Sequence, residues 1–349
     1  MNAPAAARCV VYVANADSQD LSVFELRTNG EMVPLGTVAV RRPAHVGRSI
    51  VLALDPERRF LYAGHLCGGG RAAVATFEIN RKSGLPVLLG TTPLADTTSY
   101  LSTDRTGRYL FSASYAGNGI TVSAIGPNGV VGDTLQAVAT EPKAHCIVAD
   151  PSNRFVLHTS LGGDLIYQER FDVNSGRISA NDPPTVGTRT RSGPRFIIFA
   201  PHGKQIIVVN ELDGTVDLRP FDPASGTVGA VTQSASILPE RFAGQPWGAD
   251  IHLRPDGKFL YASERTTSSI AAFAVDPESG ALTRVGSYPT VKQPRAFHID
   301  PAGRYLIAAG QLSNTVVCHA IEATSGELVA LGEYRVGKSP TWVEVVGIP

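Results

Sequence analysis

Arg254-Pro-Asp-Gly-Lys-Phe-Leu-Tyr-Ala (254–262) and Asp300-Pro-Ala-Gly-Arg-Tyr-Leu-Ile-Ala (300–308) are copies of one motif, a tight turn that feeds an apolar strand. Four earlier copies stand in the chain. They are Asp55-Pro-Glu-Arg-Arg-Phe-Leu-Tyr-Ala, Asp104-Arg-Thr-Gly-Arg-Tyr-Leu-Phe-Ser, Asp150-Pro-Ser-Asn-Arg-Phe-Val-Leu-His and Ala200-Pro-His-Gly-Lys-Gln-Ile-Ile-Val. The steps between copies are 49, 46, 50, 54 and 46 residues. A fixed period of this size marks an array of supersecondary units.

A second motif, a Ser-Gly or Asn-Gly turn between two short strands, recurs at Gly30, Gly84, Gly129, Gly176, Gly226, Gly280 and Gly326. Seven copies over 296 residues give a unit of about 49 residues. Each unit holds four short apolar runs. In the sixth they are Asp250-Ile-His-Leu, Phe259-Leu-Tyr-Ala, Ile270-Ala-Ala-Phe-Ala-Val and Leu282-Thr-Arg-Val. Turns rich in Asp, Pro and Gly separate them, and no segment keeps a helical period of 3.6. Four strands per unit predict an all-β chain, a seven-bladed β-propeller forming one domain over residues 1–349. The first unit starts late, at Val10-Val11-Tyr12, and the run Thr341-Trp-Val-Glu-Val-Val stands alone at the other end. The two ends are therefore expected to share a blade and cover each other's open edge.

Composition excludes several classes. The 349 residues carry 31 Lys+Arg against 31 Asp+Glu, which argues against a nucleic-acid partner. No apolar run is long enough to span a bilayer, so no membrane association is expected. The start, Met-Asn-Ala-Pro-Ala-Ala-Ala-Arg, lacks the pattern of a secretory signal. Cys9, Cys67, Cys146 and Cys318 are widely spaced, with no Cys-x-x-Cys pair. A cytoplasmic protein with reduced thiols, no metal and no organic cofactor is expected.

The register of the turn motif locates a site. Counting from the residue before the turn's second position, positions −5 and +11 fall at the same rim, opposite the turn. Position −5 gives Ile50, Ser99, His145, Arg195, Ala249 and Arg295; position +11 gives Leu66, Tyr115, Leu161, Glu211, Arg265 and Gln311. One mouth thus gathers His145, Arg195, Arg295, Glu211, Arg265 and Gln311, with Tyr115 nearby. Charged groups held close need pairing or a polar ligand, and convergent polar groups at a channel mouth mark a binding site. A Glu on one blade paired with an Arg on the next also ties blades together, so Glu211 and Arg265 have a structural reading too.

Among the remaining histidines, His252 and His298 lie on innermost strands. His202, in a turn, and His319, in an outer strand, are expected in solvent. His65 precedes Cys67-Gly68-Gly69-Gly70, which lacks the strand-to-helix setting of a phosphate loop. Cys146 follows His145 along a strand and points to the opposite face, so the two make no catalytic pair.

These motifs resemble the seven-bladed propeller lactonases, which include the propeller-type 6-phosphogluconolactonases and the carboxy-cis,cis-muconate cyclases. The resemblance is densest in three places: Gly193-Pro194-Arg195 with Val209-Asn210-Glu211-Leu212, Ala249-Asp250-Ile251-His252 with Pro255-Asp256-Gly257, and Gln293-Pro294-Arg295 with Ala308-Ala309-Gly310-Gln311. It implies a site built from a His, a Glu and arginines. Motif by motif these fall on His145, Glu211, Arg195 and Arg265 as catalytic groups, with Arg295 as a further member. Arg295, Gln311, Tyr115, Phe196, Tyr100, His252 and Asp250 are expected to bind substrate. The pattern departs at two positions. Phe196 stands where the resembled phosphogluconolactonases carry His after Gly-Pro-Arg, and Tyr100 where they carry another His. Both changes remove potentially cationic groups, so the sequence does not demand a phosphorylated substrate.

Three functions fit this reading. The leading one is hydrolysis of a sugar-acid or carboxylated lactone, with His145 or Glu211 as base and the arginines on the oxyanion. The second is a cycloisomerase of the muconate–muconolactone type using the same groups. The third is a non-catalytic binding propeller, whose rim charges would close into ion pairs.

Overall fold

The structure, a computed structural model, describes residues 8–40, 49–66 and 71–348. The Cys67–Gly70 stretch singled out above lies outside the described residues. Every regular element described is a strand, and the strands form seven antiparallel sheets. Six blades run in chain order through four strands each, from the channel outward; in the fifth the outermost position is filled by two pieces, Thr227–Val228 and Gln233–Ser236. The sixth blade's strands, Gly248–Leu253, Phe259–Glu264, Ser269–Val275 and Leu282–Pro289, contain the four runs quoted for it. The chain is a seven-bladed β-propeller.

The ring closes as the two chain ends predicted. The first blade takes its innermost strand, Pro340–Ile348, from the C-terminus, and this strand pairs with Arg8–Asn15. Thr341 locks the seam to the second blade: its hydroxyl donates to the Ile50 carbonyl at 2.8 Å and accepts the Ile50 N–H at 3.1 Å.

Both repeated motifs have a physical cause. The Asp that opens the turn caps it. Asp104 Oδ1 accepts the N–H groups of Arg108 and Tyr109 at 2.8 and 2.9 Å, and Asp150 does the same for Arg154 and Phe155 at 2.8 Å each. The aromatic residue that starts the following strand packs beneath the outer-turn glycine of the next blade. A Cβ on Gly129 would lie 2.5 Å from the Phe60 ring; Gly176 meets Tyr109, and Gly226 meets Phe155, in the same manner. All three glycines also have positive φ, so the position requires glycine twice over. Turn and outer hairpin are thus two halves of one blade-to-blade contact, which is why they share a period.

The innermost strands line the channel in layers. Level with the mouth stand His145, Arg195 and Arg295. One step inward, Tyr100, Phe196 and Trp342 extend from the third, fifth and first blades and meet across the channel. Their ring centroids are 4.9 Å (Tyr100–Phe196), 5.5 Å (Tyr100–Trp342) and 5.8 Å (Phe196–Trp342) apart. Trp342 also packs against three separate core clusters. Two residues further along their strands stand His252, His298 and Glu344. No helix among the described residues is long and apolar enough to cross a membrane.

One expectation fails. His319, read as solvated, is 1% exposed. The connection carrying Thr290 reaches it, and the Thr290 hydroxyl meets its Nε2 at 3.0 Å.

Candidate active site

Glu211 anchors the mouth. It sits just beyond the second strand of the fifth blade, where its N–H donates to the Gly193 carbonyl at 2.8 Å. Its Oε2 receives Arg195 Nε at 3.1 Å and Arg265 Nη2 at 2.7 Å. All three side chains are nearly closed off from solvent: Arg195 is 2%, Arg265 6% and Glu211 8% exposed. Main-chain carbonyls take up further donors. Arg195 Nη1 donates to Ala249 O, and Arg265 Nη2 donates to Gly248 O at 3.1 Å. Each guanidinium also lies on an aromatic ring, Arg195 on Phe196 at 4.1 Å and Arg265 on Trp247 at 4.0 Å.

Arg295 is placed differently. It is half-buried at the same mouth, and its guanidinium makes no hydrogen bond or ion pair among the described residues. Burial, reinforced by the charge of Arg195, pushes it down to about 10. Arg265 is pushed down to about 9, by burial first and Arg195 next. Three guanidiniums thus share the mouth with one hydrogen-bonded carboxylate, Glu211, while Asp250 acts on Arg195 from further in. The excess positive charge is the complement of a bound anion.

His145 completes the mouth. Its ring is 4% exposed, and its Nδ1 is buried without a hydrogen-bond partner. It packs edge-on against Phe196 at 5.4 Å and Tyr115 at 5.7 Å. Burial, then the charges of Arg195 and Arg295, hold its pKa well below the ordinary imidazole range. These influences favour the neutral ring.

The other expected residues divide. Tyr115 lies at the mouth, 39% exposed, with the Lys143 ammonium 5.6 Å over its ring. Phe196 and Tyr100 belong to the aromatic layer that floors the mouth. The Gln311 N–H donates to the Gln293 carbonyl at 3.1 Å, as that of Glu211 does to Gly193, and its side-chain Nε2 reaches the Ser339 hydroxyl at 3.4 Å. Asp250 and His252 are turned to each other. Asp250 Oδ1 lies 3.2 Å from His252 Nε2 and accepts the Ile251 N–H at 2.8 Å, while its Oδ2 accepts the Phe297 N–H at 3.0 Å. Cys146 is fully buried, and burial pushes its thiol up to about 12, in keeping with an inert role. No group of three or more metal-ligating side chains is present among the described residues.

Sequence reasoning missed two residues of this mouth, Lys143 and Trp247. Lys143 lies outside both register positions. Trp247 had a signal: it directly precedes the innermost strand of the sixth blade, at the end of the unit whose step is longest, 54 residues.

Comparison with known proteins agrees with this architecture. The family described as "Lactonase, 7-bladed beta-propeller" matches residues 9–345. The chain is 37% identical over 288 residues to a Serratia proteamaculans protein named 6-phosphogluconolactonase, covering 82% of this chain and 84% of that one. It is 38% identical over 289 residues to one of the same name from Pectobacterium carotovorum, covering 82% and 83%. Among solved structures, the Pseudomonas aeruginosa periplasmic gluconolactonase superposes with a TM-score of 0.88 at 26% identity, covering 98% of this chain and 100% of that one. The chain belongs to the seven-bladed β-propeller lactonase family.

Proposed function

We propose that this lactonase hydrolyses an anionic sugar-acid lactone at the His145–Arg195–Arg265–Arg295 mouth. The observation that carries the reading is that three arginines meet at one mouth where Glu211 is the only carboxylate hydrogen-bonded to them among the described residues, beside a histidine biased toward its neutral form. Glu211 Oε2 is already engaged by two guanidiniums, so Glu211 serves to orient Arg195 and Arg265. His145 is then the proton acceptor. It takes a proton from water as the water oxygen bonds to the lactone carbonyl carbon. The carbonyl oxygen becomes an oxyanion, held by the guanidinium donors that Glu211 and the main chain leave free. Donors of this kind contribute about 2.7–4 kcal/mol each. The ring C–O bond then breaks, and His145 returns the proton to the leaving hydroxyl. Arg295 binds the substrate's own negative group.

The relatives named 6-phosphogluconolactonase support a six-carbon sugar-acid lactone. The free Arg295 supports an acidic substituent. The free thiols of Cys9, Cys146 and Cys318 suit a cytoplasmic setting. Acid release should be followed by pH-stat with 6-phosphogluconolactone, gluconolactone and a muconolactone, above the spontaneous rate. His145→Gln and Arg295→Met should each lose at least about 100-fold in kcat/KM. Product formed in ¹⁸O-water should carry one solvent oxygen. Wild-type rates in both variants, or product without solvent oxygen, would sink the proposal.

A further inference from the structure

The connection between the fifth and sixth blades, residues 237–247, has eleven residues. Five of the other connections, 94–99, 140–143, 188–193, 290–293 and 336–339, have four to six; the one between the first and second blades, 40–50, also has eleven but lies mostly outside the described residues. Extra chain has therefore been placed on the mouth face, and it is pinned there. Ile237 donates to the Gly214 carbonyl at 2.9 Å, and the Thr266 hydroxyl donates to Gln245 O at 2.8 Å. At its inner end the Trp247 N–H donates to Glu264 Oε1 at 2.6 Å. Glu264 is itself fully buried, with its second oxygen held by Thr267 at 2.6 and 2.7 Å. The Trp247 carbonyl accepts the Arg265 N–H at 3.0 Å.

This clamp presents an indole that is 39% exposed. Arg265 covers part of it, and the same guanidinium contacts Glu211. A structural cap for Arg265 needs only the covered face. The open surface has no partner among the described residues, although the backbone beneath it is fixed by a buried carboxylate. An aromatic face attracts C–H groups that carry partial positive charge, because its π quadrupole is negative there. The face of a sugar-lactone ring is lined with such C–H groups. The opened acid is a flexible chain with no ring face to offer.

We propose that Trp247 is a specificity-determining platform that stacks on the closed ring of the lactone, so that the mouth favours substrate over the ring-opened product. The proposal rests on the mouth being the active site. Arg295 reads the acidic group, and Trp247 reads ring closure.

The test compares Trp247→Ala, Trp247→Phe and wild type on the preferred lactone, with the ring-opened acid as inhibitor. Trp247→Ala should raise KM about tenfold while kcat changes less than threefold and product inhibition is unmoved. Trp247→Phe should recover most of the loss. A second readout is indole fluorescence. The chain has two tryptophans, and Trp342 lies within the aromatic layer. A sugar lactam added as a slow substrate analogue should shift the emission of wild type and not that of Trp247→Phe. An unchanged KM in Trp247→Ala, with His145→Gln inactive, overturns the platform alone. If His145→Gln stays active, the mouth itself is misassigned.

Discussion

The imidazoles of His252 and His298 lie beneath the aromatic layer with ring centroids 4.9 Å apart, and their surroundings shift them in opposite directions. Burial is the largest single influence on His252 and works against its charged form, but Asp250, 3.2 Å away, together with Glu344 and the Phe297 backbone, raises the pKa. Burial pushes His298 down to about 3, aided by the charge of His252 and, from the turn side, of Arg58. Glu344 lies 3.5 Å from His298, and its Oε1 accepts the Trp342 indole N–H at 2.9 Å. Burial pushes its carboxyl up to about 7.

Stability should therefore fall on acidification. A histidine whose folded pKa is depressed contributes stability above about 6.5 and loses it as pH drops toward its folded value. His298, at about 3, and His319, pushed by burial to about 4, both behave so. His145 and His158 are shifted in the same direction, chiefly by burial. Each costs up to about 1.4 kcal/mol per pH unit below 6.5. Glu344 acts in the opposite sense: its raised pKa adds stability below about 4.5 that is lost as pH rises through about 7. His252, whose pKa is raised, opposes the trend as Glu344 does. Four lowered imidazoles outweigh these two groups, so Tm should drop between pH 7 and pH 5. Glu344→Gln removes one of the two opposing groups and should steepen the drop. A Tm that rises on acidification, or a Glu344→Gln curve parallel to wild type, would refute this account.

Glu211→Gln should destabilise the ring as well as inactivate it. Gln keeps the shape and removes the one carboxylate among the described residues bonded to Arg195 and Arg265, which are 2% and 6% exposed. Leaving buried charge uncompensated costs about 3–5 kcal/mol. Added sulfate or acetate should raise the variant's Tm more than that of wild type, because a small anion can enter the vacated charge position. Equal salt response in the two proteins would mean that Glu211 is not the counter-charge of the pair.

How much of this was legible in the sequence depends on which interactions are local. Asp104 and Asp150 cap their own turns within five residues, and the outer glycines sit at one period. Blade number and ring closure could therefore be read directly. The antiparallel register also placed Arg195, Glu211 and Arg265 together, because they stand at matching offsets from their turns. Depth was harder to read. Asp250 and His252 share a mouth-bearing strand, yet Asp250 is claimed by main-chain N–H groups, and His252 lies two residues further in. The aromatic layer depends on Tyr100, Phe196 and Trp342 from three non-neighbouring blades, a contact that no local pattern encodes. Trp247 lay outside the repeat altogether, in the extra length that a search for periodicity sets aside.

Phe196→His would restore the residue that the resembled phosphogluconolactonases carry after Gly-Pro-Arg, and it tests what sets the phosphate preference. Phe196 is 3% exposed and touches Arg195, His145, Tyr100 and Trp342. In the native protein its ring gives Arg195 a π face and is part of the aromatic layer that floors the mouth. An imidazole there offers a hydrogen-bond donor to a phosphate oxygen, at a cost of about 1–3 kcal/mol for a polar ring among aromatics. The ratio of kcat/KM for 6-phosphogluconolactone to that for gluconolactone should rise severalfold, with a lower Tm. If the ratio stays constant while Tm falls, Phe196 only packs the floor, and discrimination rests with Arg295.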